Sequence, residues 1–246
     1  MQDVLVWQLV DSAFPTGAFA HSLGLESAWH HGEVATREDL RRFVEATILQ
    51  AGSGALPLVN AAHRDPARLA EWDALNDACL SNAVANRASR QQGRTLIASA
   101  ARIFASSTLD ALHARVAPIS NFQSPTSKAL PTPNSQTGRA GMPGADLRAH
   151  VAPMTGAVFA ALGVSLETTQ RVVLFTAARS VLSAAVRLGV AGSYEAQRLQ
   201  AECAAWSATV QARYAAAGPD DLAQTAPIID ILQGAHDRLY SRLFQS

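Results

Sequence analysis

The feature that most constrains the fold is a long segment, residues 167–188, that is apolar on almost every side when read as a helix. Such a helix is stable in water only if other elements cover it. The segment therefore predicts a central helix in a helical bundle. Its exceptions are Arg179 and Arg187, because a guanidinium on an apolar element needs a carboxylate, a carbonyl or a partner protein as its counterpart. For Arg179 we favour a bracing role inside the chain.

The rest of the chain also follows a helical period. Apolar residues recur at helical spacing after a capping sequence that begins at Thr36. Much of the apolar 48% of the chain is alanine, which favours helix and allows close approach of helices. The pattern predicts an all-α, single-domain helical bundle of roughly eight to ten helices, spanning residues 1–246.

One stretch, residues 117–146, departs from this pattern. It contains five prolines among Ser, Thr, Asn and Gly, and it has no helical period. Structureless stretches of this length are uncommon inside compact domains. We therefore predict a disordered, flexible Pro/Ser-rich insertion on the surface of the bundle, not a second domain.

Composition excludes several classes of function. The chain carries 20 basic and 20 acidic residues, so its zero net charge gives no electrostatic reason to bind nucleic acid or an anionic membrane. No apolar run is long enough to span a bilayer. Two distant cysteines and the lack of a signal peptide predict a cytoplasmic protein. Low charge also predicts that partners cover part of its apolar surface.

The N-terminal stretch at residues 11–26 is more than an ordinary linker. Pro15 fixes one backbone angle and Gly17 frees another, while Phe14 and Phe19 flank the turn between them. Further along, His21, Ser22 and Glu26 follow on the next helical segment, where Ser22 and Glu26 share a face. Spacing alone favours a packed turn between two core helices.

The C-terminal stretch, residues 240–246, reads Tyr-Ser-Arg-Leu-Phe-Gln-Ser. Chain ends are normally polar and frayed, whereas this one carries three large apolar side chains. Two interpretations remain open from sequence alone: the tail orders on a partner, or it packs on its own domain. For Arg242 we favour a contact that is made or organised in a complex.

Both ends resemble the UreF family of urease accessory proteins. The family's N-terminal signature is matched at Pro15, Gly17, Phe19, Ser22, Gly24, Leu25 and Glu26. Its C-terminal signature is matched at Pro227, Asp230, His236, Tyr240, Ser241, Arg242, Leu243, Phe244 and Ser246. Elements between them, including Ser-Ala-Ala-Val-Arg-Leu at residues 183–188, resemble the family in the right order, and only the insertion lies outside the resemblance.

The resemblance implies a non-catalytic chaperone that helps to insert nickel into apo-urease. It implies a homodimer that bridges the scaffold protein UreD/UreH and the GTPase UreG, binding no cofactor tightly and handling nickel only transiently within the complex. The loop around residues 14–26 and the C-terminal helix are then expected to lie close together and to present the surfaces for the scaffold and the GTPase. The implied partner-binding residues are Phe14, Pro15, Gly17, Phe19, His21, Ser22, Glu26, Arg179, Arg187, His236, Tyr240, Arg242, Leu243 and Phe244.

An enzyme is the alternative hypothesis. None of the seven histidines and two cysteines shows a recognised metal-ligand spacing, and solvated surface histidines are the favoured interpretation. The chain also has no Walker-type or dinucleotide glycine motif. A polar pocket inside the bundle would have to use His21, Glu26 and Arg187, the only cluster that the sequence offers. We expect no catalytic residue.

Overall fold

The computed structural model describes residues 2–16, 21–116, 147–240 and 242–244. The predicted all-α fold is confirmed: apart from an isolated bridge between Val116 and Leu147, the described residues form no β-structure. The predicted insertion at residues 117–146 lies outside the described residues, as do Gly17 and Phe19. The eleven α-helices of the described residues are α1 (Gln2–Val10), α2 (Leu25–His30), α3 (Arg37–Gln50), α4 (Leu56–Arg64), α5 (Leu69–Cys79), α6 (Ala83–Ile103), α7 (Ser107–Ala114), α8 (Val151–Ala161), α9 (Leu166–Arg187), α10 (Ser193–Tyr214) and α11 (Pro227–Ala235).

Helix α9 contains the apolar segment and occupies the predicted central position, since it contacts α2, α3, α4, α8 and α10. Two hydrophobic clusters form on either side of it. The first cluster consists mainly of residues from α2, α3, α9, α10 and α11. The second consists mainly of residues from α1 and from each of the helices α4, α5, α6, α7 and α8. Val173 of α9 packs against both clusters. The assignment of residues 1–246 to a single domain stays a prediction.

Local sequence explains several helix ends. Thr36 caps α3 as predicted: its hydroxyl accepts the Asp39 N–H at 3.2 Å, and Asp39 accepts the Thr36 N–H at 2.9 Å. Between α3 and α4 the chain forms one π-helical turn, Ala51–Ala55, where Gly52 lies against Val210 and Tyr214 of α10. A side chain at residue 52 would overlap with α10, so this glycine permits the close contact of the two helices.

None of the helices in the described part of the chain is both long and apolar enough to cross a lipid bilayer.

Candidate functional site

The first turn of α2 is set by Gly24. Its φ of +87° lies in the left-handed region that favours glycine, and the Ser22 carbonyl accepts the Leu25 N–H just before the helix begins. A Cβ at Gly24 would stand 3.2 Å from the Gln233 nitrogen and 3.3 Å from the Ile229 oxygen. The glycine therefore allows the backbone of α11 to approach the start of α2, and this approach turns Glu26 toward the C-terminal segment.

The Glu26 site joins the two ends of the chain. The Glu26 carboxylate is 2% exposed and accepts three hydrogen bonds: from His236 Nε2 at 2.9 Å, from the Leu243 N–H at 2.6 Å and from the Phe244 N–H at 3.2 Å. A buried carboxylate is costly unless such donors compensate for its lost hydration. The expectation that the N-terminal stretch lies close to the C-terminal helix is confirmed at this site.

The tautomer of a neutral His236 follows from its surroundings. This side chain is fully buried, and its Nδ1 has no hydrogen-bond partner among the described residues. Its Nε2 faces the Glu26 carboxylate, which can only accept while it is ionised. The proton of a neutral His236 therefore lies on Nε2, where it is donated to Glu26.

His21 and Arg187 complete the surroundings of Phe244. Burial lowers the pKa of His21, and the charge of nearby His236 lowers it further. The Arg187 guanidinium lies 4.2 Å from the centroid of the Phe244 ring, a cation–π contact. A cavity of about 10 Å³, lined by His21, Arg187 and Phe244 among others, is just large enough for one water molecule.

The outer side of the C-terminal segment faces solvent. Tyr240 is fully exposed and Leu243 is 53% exposed, whereas Phe244 is buried. Arg242 pairs with Asp237 at 3.3 Å, and Arg87 of α6 pairs with the same carboxylate at 2.7 Å. The hydrogen bond from Arg87, followed by the charges of Arg87 and Arg242, holds the pKa of Asp237 below its usual value. The segment thus presents an aromatic and an aliphatic side chain beside a small charged cluster.

Phe14 and Pro15 lie elsewhere. Phe14 is buried and stacks on Phe104 with 6.3 Å between ring centroids, and the Pro15 carbonyl accepts a 2.8 Å hydrogen bond from Ser99. Phe14 therefore packs against the end of α6 within the second cluster, whereas Pro15 is exposed and is joined to α6 only through its carbonyl. The predicted contact of Phe14 and Pro15 with a partner is not tested by this packing.

Arg179 is partly buried and braces the bundle, as its position on an apolar helix predicted. Its Nη1 donates to the carbonyl of Val10 at the end of α1, and its guanidinium lies 6.0 Å from the centroid of the Phe175 ring. Burial lowers its pKa, and the charge of Asp11 opposes that effect. Arg179 thus joins the central helix to the N-terminal one.

The prediction that the histidines are solvated is wrong for three of them. His21, His150 and His236 are all buried, because segments distant in the sequence cover them. Periodicity does not reveal this, because the residues that surround each ring are distant in sequence. In the described part of the chain, no group of three or more His, Cys, Asp or Glu residues could hold a metal ion.

A second buried carboxylate site was missed by the sequence analysis. Asp73 of α5 accepts the backbone N–H groups of Arg148 at 2.5 Å, Ala149 at 3.1 Å and His150 at 2.7 Å. The His150 ring lies between Asp77, 3.0 Å from Nε2, and the Ser89 hydroxyl, 3.1 Å from Nδ1. The only signal in the sequence is two aspartates four residues apart on the same helix.

The enzyme hypothesis gains little from this geometry. His21, Glu26 and Arg187 do lie in one neighbourhood, but the cavity beside His21 and Arg187 holds about one water, and both oxygens of Glu26 already accept hydrogen bonds. A larger cavity of about 470 Å³ lies between α4, α6, α8 and α9, and His21 lines both cavities. More than half of the residues that line it are Ala, Val, Leu, Ile or Phe, and Glu26 and Arg187 are not among them.

Comparison with known proteins identifies relatives over nearly the whole chain. A sequence profile of the UreF family matches residues 34–204. The chain is 35% identical over 241 residues to urease accessory protein F of Oryza sativa subsp. indica, covering 97% of this chain and 83% of that protein. It is 34% identical over 243 residues to urease accessory protein F of Arabidopsis thaliana, covering 98% and 91%. Urease accessory protein UreF of Arthrobacter sp. (strain FB24) is 30% identical over 240 residues, covering 97% and 95%.

Proposed function

The chain belongs to the UreF family of urease accessory proteins, and from this premise we propose that it is a non-catalytic, cytoplasmic factor in the maturation of urease. In this proposal it forms a homodimer and bridges the scaffold protein UreD/UreH and the GTPase UreG. The complex then delivers nickel to apo-urease. Nickel is the cargo of the assembly, and this chain binds no cofactor of its own.

The observation that carries the proposal is the exposed C-terminal segment. Tyr240 and Leu243 face solvent although both are large and largely apolar, and exposed side chains of this kind are typical anchors of protein interfaces. A buried carboxylate already holds the backbone of this segment in the free chain. The segment therefore has less conformational freedom left to lose when a partner binds. The exposed side chains of Tyr240 and Leu243 are therefore better suited to contact a partner than to stabilise the free chain.

Co-expression with the urease operon partners tests the proposal. We expect the full chain to co-purify with the scaffold protein and with UreG, whereas a chain that ends at Leu239 is recovered alone with unchanged helical content by circular dichroism. The matched control ends at Phe244 and lacks only the last two residues. Undiminished recovery of the partners with the chain that ends at Leu239 would contradict the proposal.

The size of the complex provides a second readout. Light scattering on the purified chain is expected to give the mass of a dimer, about twice the 26.0 kDa of one chain. A chain that stays monomeric in the presence of both partners would remove the homodimer from the proposal. A chain that turns over a small metabolite unaided would instead favour the enzyme hypothesis.

A further inference from the structure

We infer that Glu26 is a positioning residue: it holds the backbone of Leu243 and Phe244 in the free protein and thereby presents Tyr240 and Leu243 to the scaffold protein in a preformed arrangement. This inference rests on the proposed function for the identity of the partner. It differs from the expectation drawn from sequence, in which Glu26 contacts the partner itself.

Burial argues against a direct contact. Glu26 is 2% exposed, and its two oxygens are occupied by His236 and by the amides of Leu243 and Phe244. A partner protein would therefore have to displace the C-terminal segment before it could reach the carboxylate. The side chains of this segment that a partner can reach without rearrangement are those of Tyr240, Arg242 and Leu243.

The direction of the segment follows from where its amides are held. Two consecutive N–H groups donate to one carboxylate, Oε1 for Leu243 and Oε2 for Phe244, and this fixes the orientation of the backbone at both residues. The Phe244 ring then turns inward under Arg187, and the Leu243 side chain turns outward. Without the carboxylate, both amides would hydrogen-bond to water, and the backbone would no longer fix which of the two side chains faces inward.

Three basic side chains lie around Glu26 and the backbone that it holds. His236 donates to it from α11's C-terminal end, Arg187 of α9 lies against Phe244, and His21 lies nearby at the start of the α2 region. Hydrogen bonds to a charged acceptor are roughly twice as strong as neutral ones. A neutral side chain of the same shape at residue 26 should therefore hold the segment much more weakly.

The test compares Glu26→Gln with the surface control Glu33→Gln, a solvent-exposed carboxylate three residues beyond the end of α2. In the free full-length chain we expect Glu26→Gln to raise amide hydrogen exchange at Leu243 and Phe244 by at least about tenfold. We also expect faster tryptic cleavage after Arg242, detected by mass spectrometry, while exchange in α9 and α10 stays unchanged. Unchanged exchange at both amides in Glu26→Gln would overturn the inference.

A double-variant cycle separates positioning from direct contact. Glu26→Gln should weaken scaffold binding by about tenfold or more in the otherwise unchanged chain, but by clearly less in a chain that already carries Leu243→Ala, because the exposed side chain that Glu26 presents is then gone. An equal loss of binding with and without Leu243→Ala would mean that Glu26 acts other than through the presentation of Leu243, and would overturn the inference. If shortening the chain alone leaves binding intact, the proposed function fails instead, and the exchange result on the free chain still decides the role of Glu26.

Phe244→Ala keeps the inference testable if Glu26→Gln does not fold. It leaves the carboxylate in place and removes the ring from beneath Arg187. We expect faster exchange at the Leu243 amide and weaker scaffold binding, since the inward-facing side chain that orients the segment is lost. Unchanged exchange and unchanged binding in Phe244→Ala would count against the inference.

Discussion

The Glu26 site and the Asp73 site use the same physical device in different places. In each, a buried carboxylate accepts consecutive backbone N–H groups from a distant segment, and a fully buried histidine hydrogen-bonds to a carboxylate there. Each also has a glycine at which another backbone approaches closely: Gly24 lies near α11, and a Cβ at Gly93 would stand 2.0 Å from the Ala149 oxygen.

The two sites differ in the part of the molecule that each carboxylate holds in place. Asp73 fixes residues just before α8, a helix whose residues are mostly buried between α4 and α6. Glu26 fixes residues that end at an exposed surface formed by Tyr240 and Leu243. The comparison teaches that a buried carboxylate can serve the core in one place and the presentation of a binding segment in another. The first should therefore dominate stability, and the second should dominate partner binding.

The largest effect on stability is expected for Asp73→Asn. One amide oxygen cannot replace a carboxylate that accepts three N–H groups, so we expect the free energy of unfolding to fall by about 3 kcal/mol. Urea denaturation followed by circular dichroism measures it. The control Asp220→Ala, at an exposed aspartate, should change stability by less than about 0.5 kcal/mol. A loss below about 1 kcal/mol for Asp73→Asn would remove the distinction between the two sites.

The two glycines provide a paired test. Gly93→Ala forces α6 away from Ala149, and we expect it to destabilise the fold by about 2 kcal/mol. Gly24→Ala places a side chain at a φ of +87° and should cost about 1–2 kcal/mol. Only Gly24→Ala should also raise amide exchange at Leu243 and Phe244. Faster exchange of these two amides in both variants would mean that the sites are not independent.

Acid should weaken both sites. Burial lowers the folded-state pKa values of His150 and His21 below the ordinary histidine value of 6.5. For His150 the hydrogen bond to Asp77 opposes this effect but does not cancel it. The unfolded chain then binds more protons below about pH 6.5, so stability falls as the pH drops through that value, by up to about 1.4 kcal/mol per pH unit for each histidine.

Urea denaturation at pH 7.5 and pH 5.5 measures this fall. His21→Gln should retain only the part of the slope that comes from the Asp73 site, so the comparison assigns the pH dependence to the two regions. Asp77 adds to the loss only in stronger acid: burial raises its pKa, but hydrogen bonds from Asn86 and His150 outweigh this and leave the pKa below 3.8. Stability that rises between pH 7.5 and 5.5 would contradict the account.

The smallest effect on stability is expected for Arg242→Ala. The side chain is 44% exposed and pairs with Asp237, which keeps its second partner Arg87. Exposed ion pairs contribute little, so the free energy of unfolding should change by less than about 0.5 kcal/mol. Scaffold binding should nevertheless weaken, as expected for a contact organised in the complex. A large loss of stability with unchanged binding would reverse the assignment of this residue.

Local signals predicted much of the fold. The apolar segment gave the central helix α9, and the capping box at Thr36 gave the start of α3. Other ends depend on distant residues. Apolar residues recur at helical spacing between Asp65 and Phe104, but the structure separates α5 from α6 at Leu80. Asn82 caps α6 and also donates to the Asp230 carbonyl at 2.7 Å, a contact that no local pattern contains.

The candidate site was predictable only through resemblance. Two signatures placed Glu26 and His236 among the functional residues, yet these residues are 210 positions apart and no spacing rule joins them. The Asp73 site had no signature, and its three donors are backbone groups, which carry no mark in the sequence. Pairing across the fold is decided by tertiary packing, and a local pattern does not record it.

Urease activation tests the central claim most directly. A host that expresses urease and its other accessory proteins, but lacks its own UreF protein, is supplied with the full chain or with a chain that ends at Leu239. We predict that the full chain restores urease activity and the nickel content of urease, and that the shortened chain folds but restores neither. Equal restoration by both chains would contradict the claim that the protein acts through its C-terminal segment.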